Sequence, residues 1–480
     1  MSAELKKFAK DTIIYGLGTV GTRLLSFILI PLYIRYLTTS NYGILEIFSV
    51  SIMFATIFLK FGIENALSRF YFDSDNPDER GKVIFTSLTF LTISSLLLCS
   101  LAYIFSDAIS LQFIKHTGYA SFIRVTAVTI FFSVVSIVPT QLFMLNKESK
   151  SISIINIGYF IGGFILNIVF VAILKKGTYG ILLGNMYLII ITTIVTFYIK
   201  RHSLGISFSK LVLTKILSYS FPFIFVGLSF WIINFVDRYF ILYFTSSHEL
   251  GIYSIANRFA QIIMMVVSTI QIGLYPFAYS VIKNENAKEM FGLIFRIYVT
   301  FMGMILIVLS FSLKYMFRII LTPDFYPPES AVLILAVAFI FFGAYNIFFI
   351  GSGIAKKSSG VAMLTGLAAV VNTISNFLLI PKYGLMGASY STLIAYALMA
   401  LLMLIYSQRH YKINFQFKSV AVNILIISIL ISLGRVIDST GISLTYNIPI
   451  KIILIFVYLS FILILINQEK SSQFLSVIKK

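Results

Sequence analysis

Six ionisable side chains interrupt long apolar stretches of this sequence: Arg23, Lys60, Glu64, Asp237, Arg238 and Arg258. On insertion scales a charge at the centre of a membrane helix costs about 2.5–3.5 kcal/mol, so each marks a candidate functional position. Arginine grips phosphate oxygens through a bidentate fork of N–H donors. Arg23 precedes Tyr36 by 13 residues, which puts it roughly 20 Å along a helix from that end. Arg258 follows Gly251 by seven residues, a depth of about 10 Å. Neither reaches a headgroup easily by snorkelling, so both are candidates to line a cationic cavity. The alternative is that they pair with carboxylates or helix ends between spans.

Lys60 and Glu64 are spaced i,i+4, which puts them on one helix face where they neutralise each other. A second reading is that Glu64 titrates during a transport cycle. Asp237 and Arg238 are adjacent and point about 100° apart around a helix, so they are not expected to pair face to face. They read as an interfacial cap or as a gate contact. Coupling to protons or sodium would need an intramembrane carboxylate. Glu46, Glu64 and Asp237 qualify, each toward a membrane surface, so coupling stays open. No cofactor is expected. The four histidines stand singly in loops at no metal-ligand spacing. Cys99 is the single cysteine and forms no intrachain disulfide.

The elements that must position these groups are transmembrane helices. The chain is 59% hydrophobic and only 11% charged, with a mean hydropathy of +0.95, whereas soluble domains carry roughly 25% charged residues. The apolar material comes in continuous blocks near the ~20 residues that cross a bilayer. Lipid satisfies no backbone polar group, and barrel strands would alternate. The expectation is an all-α polytopic membrane protein of about fourteen spans. They are placed near 12–36, 41–66, 83–106, 119–144, 151–173, 179–199, 213–240, 249–275, 292–313, 330–354, 360–380, 385–407, 419–434 and 449–466. The net charge of +19 does not point to nucleic acid, because the bases are scattered among short loops rather than clustered.

With the N-terminus cytoplasmic, inner segments hold 22 Lys and Arg against 10 outside. That bias sets both termini on the cytoplasmic side. The lysines before the first span suggest a secretory leader, but the apolar run is too long and no cleavage site follows. The first span reads as a retained signal anchor.

The chain also repeats. Tyr36-Leu-Thr-Thr-Ser-Asn-Tyr-Gly43 matches Tyr243-Phe-Thr-Ser-Ser-His-Glu-Leu-Gly251 with one insertion. Thr178-Tyr-Gly180 matches Lys382-Tyr-Gly384 at nearly the same offset. With six spans in each interval the repeat is parallel. It predicts a six-helix lobe over 1–205, a second over 206–412 and a terminal helix pair over 413–480, a layout that suits alternating access.

The stretch Leu5-Lys-Lys-Phe-Ala-Lys-Asp, running through Arg23 to Pro31-Leu-Tyr and Asn41-Tyr-Gly-Ile-Leu, resembles the start of Wzx-type polysaccharide (O-antigen and capsule) flippases. So do Gly62-Ile-Glu64-Asn-Ala-Leu-Ser-Arg69, Pro222 with Trp231 and Asp237-Arg238-Tyr239, Gly251-Ile-Tyr-Ser, and Asn376-Phe-Leu-Leu-Ile-Pro381-Lys-Tyr-Gly384. These flippases belong to the multidrug/oligosaccharidyl-lipid/polysaccharide exporter superfamily. The resemblance implies two bundles that move an undecaprenyl-pyrophosphate-linked oligosaccharide from the cytoplasmic to the periplasmic leaflet of a bacterial inner membrane. Its partners would be that lipid-linked substrate, the bilayer and the polysaccharide assembly machinery. The alternative within the superfamily is an ion-coupled drug/cation antiporter, expected to carry more carboxylates in mid-membrane. A membrane glycosyltransferase or polymerase is disfavoured, because the external loops are short and hold few acids.

Overall fold

Any chain that crosses hydrocarbon must close its backbone hydrogen bonds within itself, and continuous apolar blocks do so as helices. The computed structural model describes residues 27–74, 76–114, 117–146, 148–281, 286–354, 359–440, 442 and 446–461, and there is no strand among these described residues. The principal helices are α1 (Ile30–Tyr36), α2 (Thr39–Lys60), α3 (Ile63–Tyr71), α4 (Pro77–Ile104), α5 (Ala120–Val135), α6 (Ile137–Leu145), α7 (Ser149–Asn167) and α8 (Gly177–Lys200). They continue with α9 (Lys210–Phe244), α10 (Ser247–Val281), α11 (Ala287–Ile320), α12 (Glu329–Ile354), α13 (Ser359–His410) and α14 (Phe417–Ser439). A shorter apolar helix, α15, covers Tyr446–Phe461.

Among the described residues, eleven helices are long and apolar enough to cross a membrane. The protein is a multi-pass helical membrane protein. Of the first expected span, only the stretch from residue 27 onward lies among the described residues. The expected spans at 360–380 and 385–407 are joined in α13, with no loop between them. The backbone leaves helical geometry only at Gly384, where φ is 54° and ψ is −134°. Pro381, three residues earlier, lacks an N–H to continue the ladder.

Helix starts explain other boundary differences. α4 begins six residues before the apolar run, because Asn76 accepts the Asp78 N–H at 2.9 Å and Pro77 occupies the first turn. Thr38 caps α2 by accepting from the Asn41 N–H at 3.2 Å. α2 ends at Lys60 because Phe61 and Gly62 both take left-handed conformations, with φ of 55° and 70°. The expected span 41–66 is therefore two helices.

By packing, the chain forms two compact units. Unit 1 comprises residues 1–255 with 365–391, and unit 2 comprises 256–364 with 392–480. These units follow packing, whereas the expected lobes follow the sequence repeat. The two descriptions differ over residues 206–255 and 365–391, and residues 413–480 fall in unit 2 rather than apart from it. In unit 1, α5 packs on α4 and α8, while α9 runs against α2, α3 and α4. Ile63, Leu67, Leu91, Val134, Leu142 and Ile216 are buried at their meeting point. In unit 2, α11 packs on α12 and α14. There Tyr458 donates to Asn423 Oδ1 at 2.8 Å, and Asn423 donates to Thr300 Oγ1 at 2.7 Å.

Candidate functional site

A guanidinium in the interior of a membrane protein has to find acceptors for its donors, and Arg238 finds them on two helices of unit 1, α9 and α2. Asp237 and Arg238 are each 1% exposed on α9. Contrary to the expectation from helical geometry, they pair: Arg238 Nη1 lies 2.7 Å from Asp237 Oδ1. The Arg238 backbone N–H donates to the same oxygen at 2.9 Å. The long arginine stem explains the difference. It curls back along the helix, so that Nη1 also donates to the Asn234 carbonyl one turn earlier. The pair is accordingly buried rather than an interfacial cap.

The neighbouring helices complete the cluster. Glu46 on α2 brings Oε1 to 3.7 Å from Arg238 Nε. Tyr253, fully buried on α10, donates its hydroxyl to Asp237 Oδ2. The guanidinium also lies 5.0 Å from the Phe235 ring centre and 5.6 Å from that of Tyr253, within cation–π range. Nearby, the buried indole of Trp231 donates to the Val50 carbonyl at 3.2 Å. The Tyr239 and Ser51 hydroxyls lie 2.6 Å apart. A cavity of about 570 Å³ opens beside them, lined by Phe48, Phe54, Thr126, Trp231 and other mainly apolar side chains.

Lys60 and Glu64 also meet, at 2.6 Å and about 30% exposed. They lie on opposite sides of the Phe61–Gly62 break rather than on one continuous helix face. Arg258 is half-buried on α10, in unit 2. Arg23 lies outside the described residues. Of the residues singled out from sequence, the structure gathers Asp237, Arg238 and Glu46. Tyr253 was not singled out, because a tyrosine in a span reads as packing or belt until its acceptor is known.

Among the described residues no cluster of three His, Cys, Asp or Glu could hold a metal. His248, expected as a solvated loop residue, sits in the first turn of α10 with Nδ1 at 2.5 Å from Thr39 Oγ1. What this arrangement can do is tie α2, α9 and α10 to one another. Charged hydrogen bonds in a medium of low dielectric are strong when complete and costly when half-broken.

Helices of this number and length, packed through buried charge, make a polytopic membrane fold. The chain shares it with the lipid II flippase MurJ in an inward closed conformation. That likeness has a TM-score of 0.71 and 18% identity over 94% of this chain and 98% of that one. An inward-facing multidrug resistance MATE family transporter of the MOP superfamily has a TM-score of 0.61 and 17% identity, over 81% of this chain and 94% of that one. At such identities the likeness is one of fold. The particular family comes from sequence: the chain belongs to the polysaccharide biosynthesis protein family, whose profile matches residues 8–280. A protein of the Lsg locus of Haemophilus influenzae is 22% identical over 290 residues, 58% of this chain and 68% of that protein. The fold is one shared with a flippase and a multidrug transporter, and the family is that of polysaccharide biosynthesis proteins.

Proposed function

We propose that this protein flips undecaprenyl-pyrophosphate-linked oligosaccharide units from the cytoplasmic to the periplasmic leaflet of a bacterial inner membrane. The observation that carries this reading is the near-complete overlap with the fold of a lipid II flippase, in a chain of the polysaccharide biosynthesis family. Both termini face the cytoplasm. The lobes 1–205 and 206–412 alternate about a central path, and the terminal pair within 413–480 packs on the second lobe. Arg23 and Arg258 give that path its positive sign and bind the pyrophosphate. Asp237 and Arg238, with Glu46 and Tyr253, form a gate contact between the first and second repeats. The Lys60–Glu64 pair acts at the opposite end of α2, as a second gate or coupling site. The polysaccharide assembly machinery supplies the substrate and consumes the product.

Transfer of labelled lipid-linked oligosaccharide in reconstituted vesicles, read by accessibility to an external lectin, tests this reading. Transfer above protein-free vesicles is expected, and Arg23→Ala or Arg258→Ala should lower it while leaving membrane insertion intact. Unchanged transfer removes those arginines from the path. No transfer, alongside efflux of a small organic cation, makes the protein a drug/cation antiporter. Against that second reading, Asp237 and Glu46 both turn toward Arg238.

A further inference from the structure

At one end of unit 2 the last turn of α13, the first turns of α11 and the connection into α14 are locked together. Gln408 clamps Ile413 with both halves of its amide. Its N–H donates to the Ile413 carbonyl at 2.6 Å, and its oxygen accepts the Ile413 N–H at 2.9 Å. Ile413 and Phe415 are buried, at 4% and 1% exposure, whereas Lys412, Asn414 and Gln416 are exposed. That alternation is the period of an extended segment with one face packed. The Phe415 ring centre lies 5.2 Å from that of Phe295 and 5.0 Å from that of Phe348. Gly292 admits the segment to α11, because a β-carbon there would collide with the Asn414 carbonyl oxygen.

The locked connection walls an open pocket of about 440 Å³, whose charged lining is Lys288, Lys412 and Glu289. It lies wholly within unit 2. Lys288 Nζ sits 5.3 Å from the Tyr411 ring centre, which steadies that ammonium by cation–π attraction. The Asn414 side-chain oxygen accepts the Gln416 N–H at 3.1 Å, leaving its amide N–H groups as donors. Arg409 and Lys418, both exposed, flank the lining on α13 and α14. Among the described residues, four cations thus stand around the single Glu289 carboxylate. The pocket also lies where apolar helices end. Ile405, one turn before Gln408, and Phe417, at the start of α14, are exposed. A soluble anion would use only the lysines and amides. A phospholipid would use both features, with its phosphate on the lysines and its chains along the apolar side chains.

We propose that this pocket binds the phosphate of an anionic phospholipid, in the leaflet that is cytoplasmic in the orientation given above. Lys288 and Lys412 meet the phosphate oxygens as compact charges, and Asn414 donates beside them. Gln408 is a positioning residue, since its amide is engaged by Ile413. Bound there, the lipid bridges α11, α13 and α14. The site lies apart from the Asp237–Arg238 cluster, which belongs to unit 1, and it does not depend on the proposed cargo.

The test is the affinity of the purified full chain for acyl-labelled phosphatidylglycerol in detergent, read by fluorescence polarisation and compared with acyl-labelled phosphatidylcholine. A preference for phosphatidylglycerol is expected. A basic residue at an anionic lipid surface contributes about a fivefold factor, so Lys288→Gln with Lys412→Gln should weaken that binding roughly 25-fold. The control pair Arg201→Gln with Lys210→Gln removes the same charge from exposed positions of unit 1 and should change it little. Gly292→Ala keeps every charge but displaces the Asn414 connection from α11, and it too should weaken binding. Equal affinity for the two lipids, or an equal loss in both lysine-bearing pairs, overturns the site. So does a folded Gly292→Ala protein that binds as tightly as the unaltered chain. Unlabelled phosphatidylglycerol should displace the label. Equal displacement by inorganic phosphate at the same concentration would mark a free-anion site and overturn the lipid.

Discussion

Two ionic clusters, one in each unit, each set a cation, an aspartate and a tyrosine together, and they join different kinds of elements. In unit 1, Arg238 joins α9 to α2 through Glu46 and meets α10 through Tyr253. In unit 2, Lys451 lies 2.8 Å from both carboxylate oxygens of Asp438, and Asn447 donates to that carboxylate at 3.2 Å. Tyr315 of α11 donates to Asn447 at 3.0 Å. The second cluster closes a short connection, since Asp438 and Lys451 are 13 residues apart. Glu46 and Arg238 are separated by most of a repeat. A local pair pins a hairpin to its neighbour, whereas the Glu46–Arg238 pair ties together helices of different repeats. The difference lies in which helices share the charge.

Four variants would break or sharpen that contrast. The largest effect is expected from Arg238→Ala, which leaves the buried Asp237 and the half-buried Glu46 without their shared cation. Removing one partner of such a group costs about 3–5 kcal/mol, read as a drop in melting temperature of the purified protein and loss of transfer. Tyr253→Phe removes one hydrogen bond to Asp237, worth roughly 1.5–3 kcal/mol to a charged acceptor. It should loosen the α9–α10 contact and change transfer more than folding. For the second cluster, Lys451→Met combined with Asp438→Asn removes both charges at once. That exchange should cost no more than about 1–2 kcal/mol and leave transfer per folded molecule unchanged. A folded double variant that fails to transfer would erase the distinction between the two clusters. Smallest is Lys60→Ala, because the Lys60–Glu64 pair is about 30% exposed. Such pairs contribute up to about 1 kcal/mol, so a large loss of transfer without loss of stability would make Lys60 and Glu64 a coupling site.

Much of this was legible in the order of residues. Hydropathy located every span that the structure describes, because a bilayer tests each helix separately for length and polarity. The ionisable residues inside spans stood out for the same reason, since lipid makes each one expensive. Less legible were features that depend on a neighbour. The break at Phe61–Gly62 lies in an apolar run, where a left-handed turn leaves no hydropathy signal. Nothing local distinguishes Tyr253 from the other tyrosines of the spans.

The sequence by itself determined the class of molecule, the family, the apolar blocks that become the described spans, and the ionisable residues that interrupt them. These follow from terms that each helix settles alone: transfer into lipid, capping, and the placement of Lys and Arg. Only the tertiary structure decided that Asp237 and Arg238 pair and that Glu46 and Tyr253 complete them. A hydrogen bond or a backbone contact between distant helices has no energy until both partners are in place. Its existence is therefore a property of packing and not of either segment.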